Sequence, residues 1–158
     1  MNIASDKATA SLLRELRDRD TDTGLLTQSR IYRILLSETA RSGRYGNPLS
    51  CILLRLEGLG AVAPHDRLAL TSRLADVMRS TDYAGVWTDE EFLLVLPETD
   101  RDGAEGFALK LEQALNGLGV RLSANGGAKL SVATRVANWQ TPDDADALLG
   151  RLSISYPS

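Results

Sequence analysis

Three consecutive carboxylates, Asp89, Glu90 and Glu91, follow Thr88 in a short polar segment set between two apolar runs. Oxygen donors grouped in this way suit a divalent cation or a basic ligand. The plainer reading is an acidic turn left in solvent. A second chemical pair, Arg79 and Asp82, stands just ahead of the first apolar run. Its guanidinium offers planar donors and its carboxylate offers acceptors. The bare R-x-x-D spacing recurs at Arg17/Asp20, Arg19/Asp22 and Arg73/Asp76, so spacing alone selects nothing.

The elements that must position these groups are legible. Tyr83 to Trp87 and Phe92 to Leu96, the latter stopped by Pro97, predict the two strands of a β-hairpin whose turn is 88–91. Upstream, residues 7–19 predict a short amphipathic helix with Leu12, Leu13 and Leu16 on one face, broken by Asp20-Thr21-Asp22-Thr23-Gly24. A second helix starts at Thr27 as N-cap and runs to about Arg44, an apolar strand spans 49–56, and a third helix spans roughly 65–79. Downstream, Asp100 or Thr99 caps a helix expected to end at Gly117. Val120 to Ser123 and Leu130 to Val136 predict a second hairpin about Asn125-Gly126-Gly127, and 143–152 predicts a last helix. The order strand, helix, strand, strand, helix, strand is that of a ferredoxin-like or polymerase-palm α/β (α+β) sandwich, with helices on one face of a mainly antiparallel sheet.

Composition narrows the function classes. A chain of 158 residues with 25% charged residues suits one soluble domain, read as a connector helix over 1–19 followed by a globular unit over 20–158. The net charge of −3 argues against broad nucleic-acid binding while leaving room for one local basic site. No apolar run approaches a membrane span, and Asp6 interrupts any secretory pattern. The single cysteine, Cys51, excludes a disulfide framework or zinc cluster, and a cytoplasmic setting is expected.

Taken together, the segments resemble the GGDEF family, whose active members are diguanylate cyclases that condense two GTP into cyclic di-GMP. Asp20-x-x-Thr23-Gly24-Leu25 is similar to that family's opening D-x-L-T-G-L, with Asp22 in place of leucine. The stretch 38–59 resembles its first long helix and metal-bearing strand, 86–99 its signature hairpin, and 130–137 a later strand.

The resemblance also marks departures. Where the family places two glycines, an acidic residue, glutamate and phenylalanine, this chain has Thr88, Asp89, Glu90, Glu91 and Phe92. The side chain of Asp89 would crowd and repel a triphosphate that glycine admits. The D-x-D-x-F-K pattern on the first strand reads Arg55-Leu56-Glu57-Gly58-Leu59-Gly60, which puts a fixed cation where a magnesium ligand belongs. Only 23 residues, 56–78, lie between Arg55 and Arg79, and the guanine-reading loop of active members is missing. Arg55, Glu57, Thr88, Asp89, Glu90 and Glu91 are thus expected to be vestigial active-site positions, with no Mg²⁺ or other cofactor and no cyclase activity.

One further element of the family is in register. Active members carry a product-inhibition R-x-x-D motif five residues before the signature loop, and Arg79-Ser80-Thr81-Asp82 occupies that place. The resemblance implies cyclic di-GMP as ligand, with Arg79 donating to guanine O6 and N7 or to phosphate and Asp82 accepting from the guanine edge. It also implies a further arginine from elsewhere, and a homodimer or a neighbouring signalling domain as protein partner. The expected function is a cyclic di-GMP receptor or regulatory module. The alternatives are a protein-interaction scaffold that binds no nucleotide and a GTP-binding regulatory domain.

Overall fold

The computed structural model describes residues 3–124 and 129–157. The elements run α1 (Ile3–Arg17), α2 (Gln28–Tyr45), β1 (Leu49–Glu57), α3 (Pro64–Val77), β2 (Tyr83–Thr88), β3 (Glu91–Pro97), α4 (Arg101–Ala124), β4 (Ser131–Asn138) and α5 (Ala145–Arg151). A single turn of 3₁₀ helix, Leu59–Ala61, joins β1 to α3. All strand pairings are antiparallel and the sheet order is β2-β3-β1-β4. From β1 to β4 this is the expected βαββαβ arrangement.

β1 and β3 explain the layering. Both are almost wholly apolar, so neither face of the central sheet can meet water without a large penalty. Ile52, Leu54, Leu56, Phe92, Leu94 and Leu96 pack with Leu70 and Leu74 of α3 and Leu111 and Leu115 of α4. The alternate residues Leu49, Cys51, Leu53, Leu93 and Val95 pack with Ile31 and Leu35 of α2 and Leu148 and Leu149 of α5. Helices therefore cover both faces of the sheet, which corrects the one-sided arrangement expected from sequence. Trp87 lies in the α2 and α5 layer and is 2% exposed, a core residue.

Local signals fixed the helix ends. Thr27 caps α2 by accepting from Arg30 N, and Gly46 closes it by donating to Ser42 O. Asp100 is the cap of α4, with Oδ1 accepting from Gly103 N at 2.8 Å. Asp144 caps α5 through Ala147 N at 2.9 Å. The sequence expectation is wrong over 117–123. α4 runs through Gly117 to Ala124, so Val120 to Ser123 are helical and form no strand. The reason is that the apolar stripe Ala104, Ala108, Leu111 and Leu115 continues at Leu118, which packs on the same core. The turn expected at Asn125-Gly126-Gly127 lies outside the described residues.

Two elements meet where only glycine fits. A Cβ at Gly85 on β2 would lie 2.6 Å from Ile31 Cβ on α2. Gly85→Ala is expected to destabilise the fold by about 1–3 kcal/mol through overpacking, read as a lowered urea midpoint. Cys51 sits fully buried in β1, and burial pushes its thiol up to about 12. It should therefore resist a thiol reagent at pH 8 in the native protein and react fully once denatured; labelling before denaturation would contradict this burial.

Candidate functional site

The turn between α3 and β2 builds the first group of site residues. After α3 ends at Val77, the chain reverses, with Asp82 N donating to Arg79 O at 3.1 Å. Asp82 then points inward, its side chain 2% exposed. Its carboxylate accepts from Arg79 N at 3.0 Å, Arg79 Nε at 3.4 Å and Arg79 Nη2 at 3.2 Å. Nη2 also donates to Pro97 O at 3.2 Å and to Thr99 Oγ1. One guanidinium thereby ties the α3–β2 turn to the β3–α4 junction. Arg79 Nη1 carries no hydrogen bond among the described residues, and the side chain as a whole is 54% exposed.

This geometry changes the roles expected of the pair. Arg79 and Asp82 are brought together, yet Asp82 is spent on holding Arg79 and does not present its carboxylate to a ligand. The Nε and Nη2 edge of Arg79 is likewise occupied. What remains uncommitted is Nη1, on a side chain that is 54% exposed, and such a guanidinium can donate to an anion or stack on a planar ring.

Arg79 lines a cleft of about 390 Å³ together with Thr99, Asp102, Gly103, Phe107 and Lys110. Gly103, Phe107 and Lys110 fall on one face of α4 because they are spaced four and three residues apart. Lys110 brings a second cation to the cleft and Asp102 an acidic group. Sequence reading missed all of these, since helical spacing marks a face but not what the face opens onto.

The acidic turn is dispersed by the fold. Glu90 accepts from Gly58 N at 3.4 Å through Oε2, and its backbone oxygen accepts from Leu56 N at 2.8 Å. Glu91 Oε1 accepts from Thr88 Oγ1 at 2.9 Å. Both carboxylates thus serve the hairpin and the turn beyond β1. Arg55 and Glu57 are exposed at the far end of β1, with Arg55 opposite Glu91 in register and Glu57 opposite Ser131. Asp89 faces a separate cleft of about 310 Å³ shared with Asp20, Asp22, Arg67 and Phe92. Among the described residues no group of three or more His, Cys, Asp or Glu is placed to hold a metal ion.

Asp20-Thr21-Asp22-Thr23-Gly24 is a closed turn. Asp20 Oδ2 accepts from Thr23 N at 2.9 Å and from Thr23 Oγ1 at 2.8 Å, and Gly24 takes a φ of 72° that a side chain would resist. The turn delivers Leu25 to the core and lays Leu26 along the outer edge of β2, where Leu26 N donates to Ala84 O and Val86 N donates to Leu26 O. No described helix is long and apolar enough to cross a membrane.

The role of Asp82 can be measured. Asp82→Ala leaves the partly buried Arg79 N–H without its acceptor and releases the guanidinium, so a loss of about 1–3 kcal/mol in chemical denaturation is expected. Arg79→Ala leaves the buried Asp82 carboxylate with only the Arg79 backbone N–H as donor and should cost at least as much.

No curated protein matches the chain in sequence. Among solved structures, diguanylate cyclase SiaD of Pseudomonas aeruginosa, in complex with its activator SiaC, superposes with a TM-score of 0.78 at 21% identity. That match covers 95% of this chain and 60% of SiaD, so the chain spans well under two thirds of that relative. The GGDEF domain of DgcB from Caulobacter crescentus, in complex with c-di-GMP, gives a TM-score of 0.68 at 13% identity, covering 87% of this chain and 84% of that one. A microbial GGDEF domain described with cyclic di-GMP gives 0.70 at 21% identity, covering 89% and 88%. At such identities these likenesses establish the fold. The family profile of the diguanylate cyclase GGDEF domain matches residues 68–152, more than half of the sequence, from within α3 through α5, and the chain therefore belongs to the GGDEF domain family.

Proposed function

We propose that this chain is a degenerate GGDEF domain that does not condense GTP and acts as a receptor for cyclic di-GMP through the cleft at Arg79 and Asp82. The observation that carries the reading is the fixed guanidinium. Arg79 is held from behind by Asp82, Thr99 and Pro97 O, so its free Nη1 and its flat face are presented to the cleft without an ordering cost at binding. A guanine ring stacks on that face, and Lys110 across the cleft meets a phosphate. Asp82 contributes by holding Arg79, while Asp102 is the carboxylate open to a guanine N–H edge. The two GGDEF structures described with cyclic di-GMP support the choice of ligand.

The reading of the catalytic face rests on its donor set. Magnesium needs several hard oxygens around one point, and here Glu90 and Glu91 are drawn into hairpin contacts while Arg55 occupies the first-strand position. The residues present do not fit Mg²⁺. Asp20, Asp22 and Asp89 line the adjoining cleft, a poor seat for a triphosphate.

Calorimetric titration tests both halves. Cyclic di-GMP should bind the wild type and lose at least tenfold in affinity with Arg79→Ala, while GTP with Mg²⁺ gives no heat and no cyclic product. Absence of cyclic di-GMP binding by the folded protein would leave a protein-interaction scaffold as the function. Mg²⁺-dependent GTP binding would instead indicate a GTP-binding regulatory domain.

A further inference from the structure

The cleft at Asp89, of about 310 Å³, shares no lining residue with the cleft at Arg79. Its wall is apolar at Leu59 and Phe92, both buried, and charged at Asp20, Asp22, Asp89 and Arg67. Opposite charges therefore face one small hollow. They are not joined, because Arg67 forms no side-chain hydrogen bond or ion pair among the described residues.

Arg67 lies in the first turn of α3 and is half-buried, and its Nε is shut off from solvent with no acceptor in reach. The acidic side is uncommitted as well. Asp22 and Asp89 are exposed and neither carboxylate accepts a hydrogen bond among the described residues, whereas Asp20 Oδ2 is held by Thr23. A guanidinium partly withdrawn from water without an anion is costly, and so are carboxylates gathered at one rim without a cation. A simple anion relieves the first and is repelled by the second, and a simple cation meets the reverse. A molecule that carries both charges relieves both.

We infer that this cleft binds a zwitterion, a free α-amino acid with an aliphatic side chain. The carboxylate is received by the Arg67 guanidinium, the ammonium by Asp22 and Asp89, and the side chain lies against Leu59 and Phe92. The volume is at the small end for ligand clefts and suits a molecule of that size. The same rim that makes the cleft a poor seat for a triphosphate thus gives it a different ligand class. The site is independent of the one at Arg79.

The probe is L-leucine, titrated calorimetrically beside isocaproate, which lacks the ammonium, and isoamylamine, which lacks the carboxylate. Leucine should bind the wild type, and each single-charge analogue should bind about tenfold more weakly or worse. Arg67→Gln and Asp89→Asn should each lose about tenfold in leucine affinity. The melting temperature of Arg67→Gln without ligand should stay at or above the wild-type value, since the arginine has no partner to lose. Gly60 also lines the cleft, and a side chain added there enters open space, so Gly60→Leu should fold and block leucine. Arg79→Ala should leave leucine binding intact, which separates this site from the cyclic di-GMP reading. No leucine binding by the folded wild type would overturn the inference. So would isoamylamine binding as tightly as leucine with no effect of Arg67→Gln, which would reduce the cleft to an acidic rim that attracts amines.

Discussion

The constraint on which the rest of this structure depends is that β1 and β3 are apolar on both faces. A strand of that kind cannot be satisfied by one layer of helices, because half of its side chains would remain in water at a cost of roughly 1.5–3 kcal/mol for each large aliphatic group. α3 and α4 cover one face, α2 and α5 the other, and every connection in the fold follows from delivering those four helices to their sides. The turn at Arg79 exists because α3 on one face must hand the chain to β2 at the sheet edge. The cleft beside it lies between that turn and the first half of α4, which leaves β3 at the neighbouring junction.

Seen from that frame, Asp82 is the pivot between fold and chemistry. A carboxylate at 2% exposure needs partners, and the nearest donors are the backbone and guanidinium of Arg79. Satisfying Asp82 therefore orients Arg79, and Thr99 and Pro97 O lock the other side of the same Nη2. On the opposite end of the molecule the balance tips the other way. Glu90 and Glu91 find donors in the hairpin and in the turn after β1, which draws the acidic turn into the structure and away from solution chemistry.

Much of this was legible from the residues. The continuous apolar run at 92–96, the stop at Pro97, the cap at Thr27 and the βαββαβ order could all be read because local chemistry specifies them. The second helical layer could not, since a helix stripe such as Ile31 and Leu35 shows that a face is buried without showing which face of a sheet it meets. Gly117 suggested a helix end, yet Leu118 extends the buried stripe and packing overrode the weak helix propensity of glycine. At the site, the R-x-x-D spacing identified both partners, but whether Asp82 faces a ligand or faces Arg79 depends on burial, which spacing does not encode. Lys110 and Asp102 were invisible as residues of this cleft because their meeting with Arg79 is a matter of tertiary approach alone.

The register of β1 has a consequence for how the chain comes into being. Leu54 pairs with Phe92 on one side and with Thr134 on the other, so the central strand waits for partners about forty and eighty residues later. During synthesis from the N-terminus, α2, β1, α3 and the hairpin can assemble first, with the β4 side of β1 still unpaired and apolar. The last third of the chain therefore closes an exposed sheet edge, and the interval before it emerges is when this domain is most open to chaperones and to mispairing with other strands.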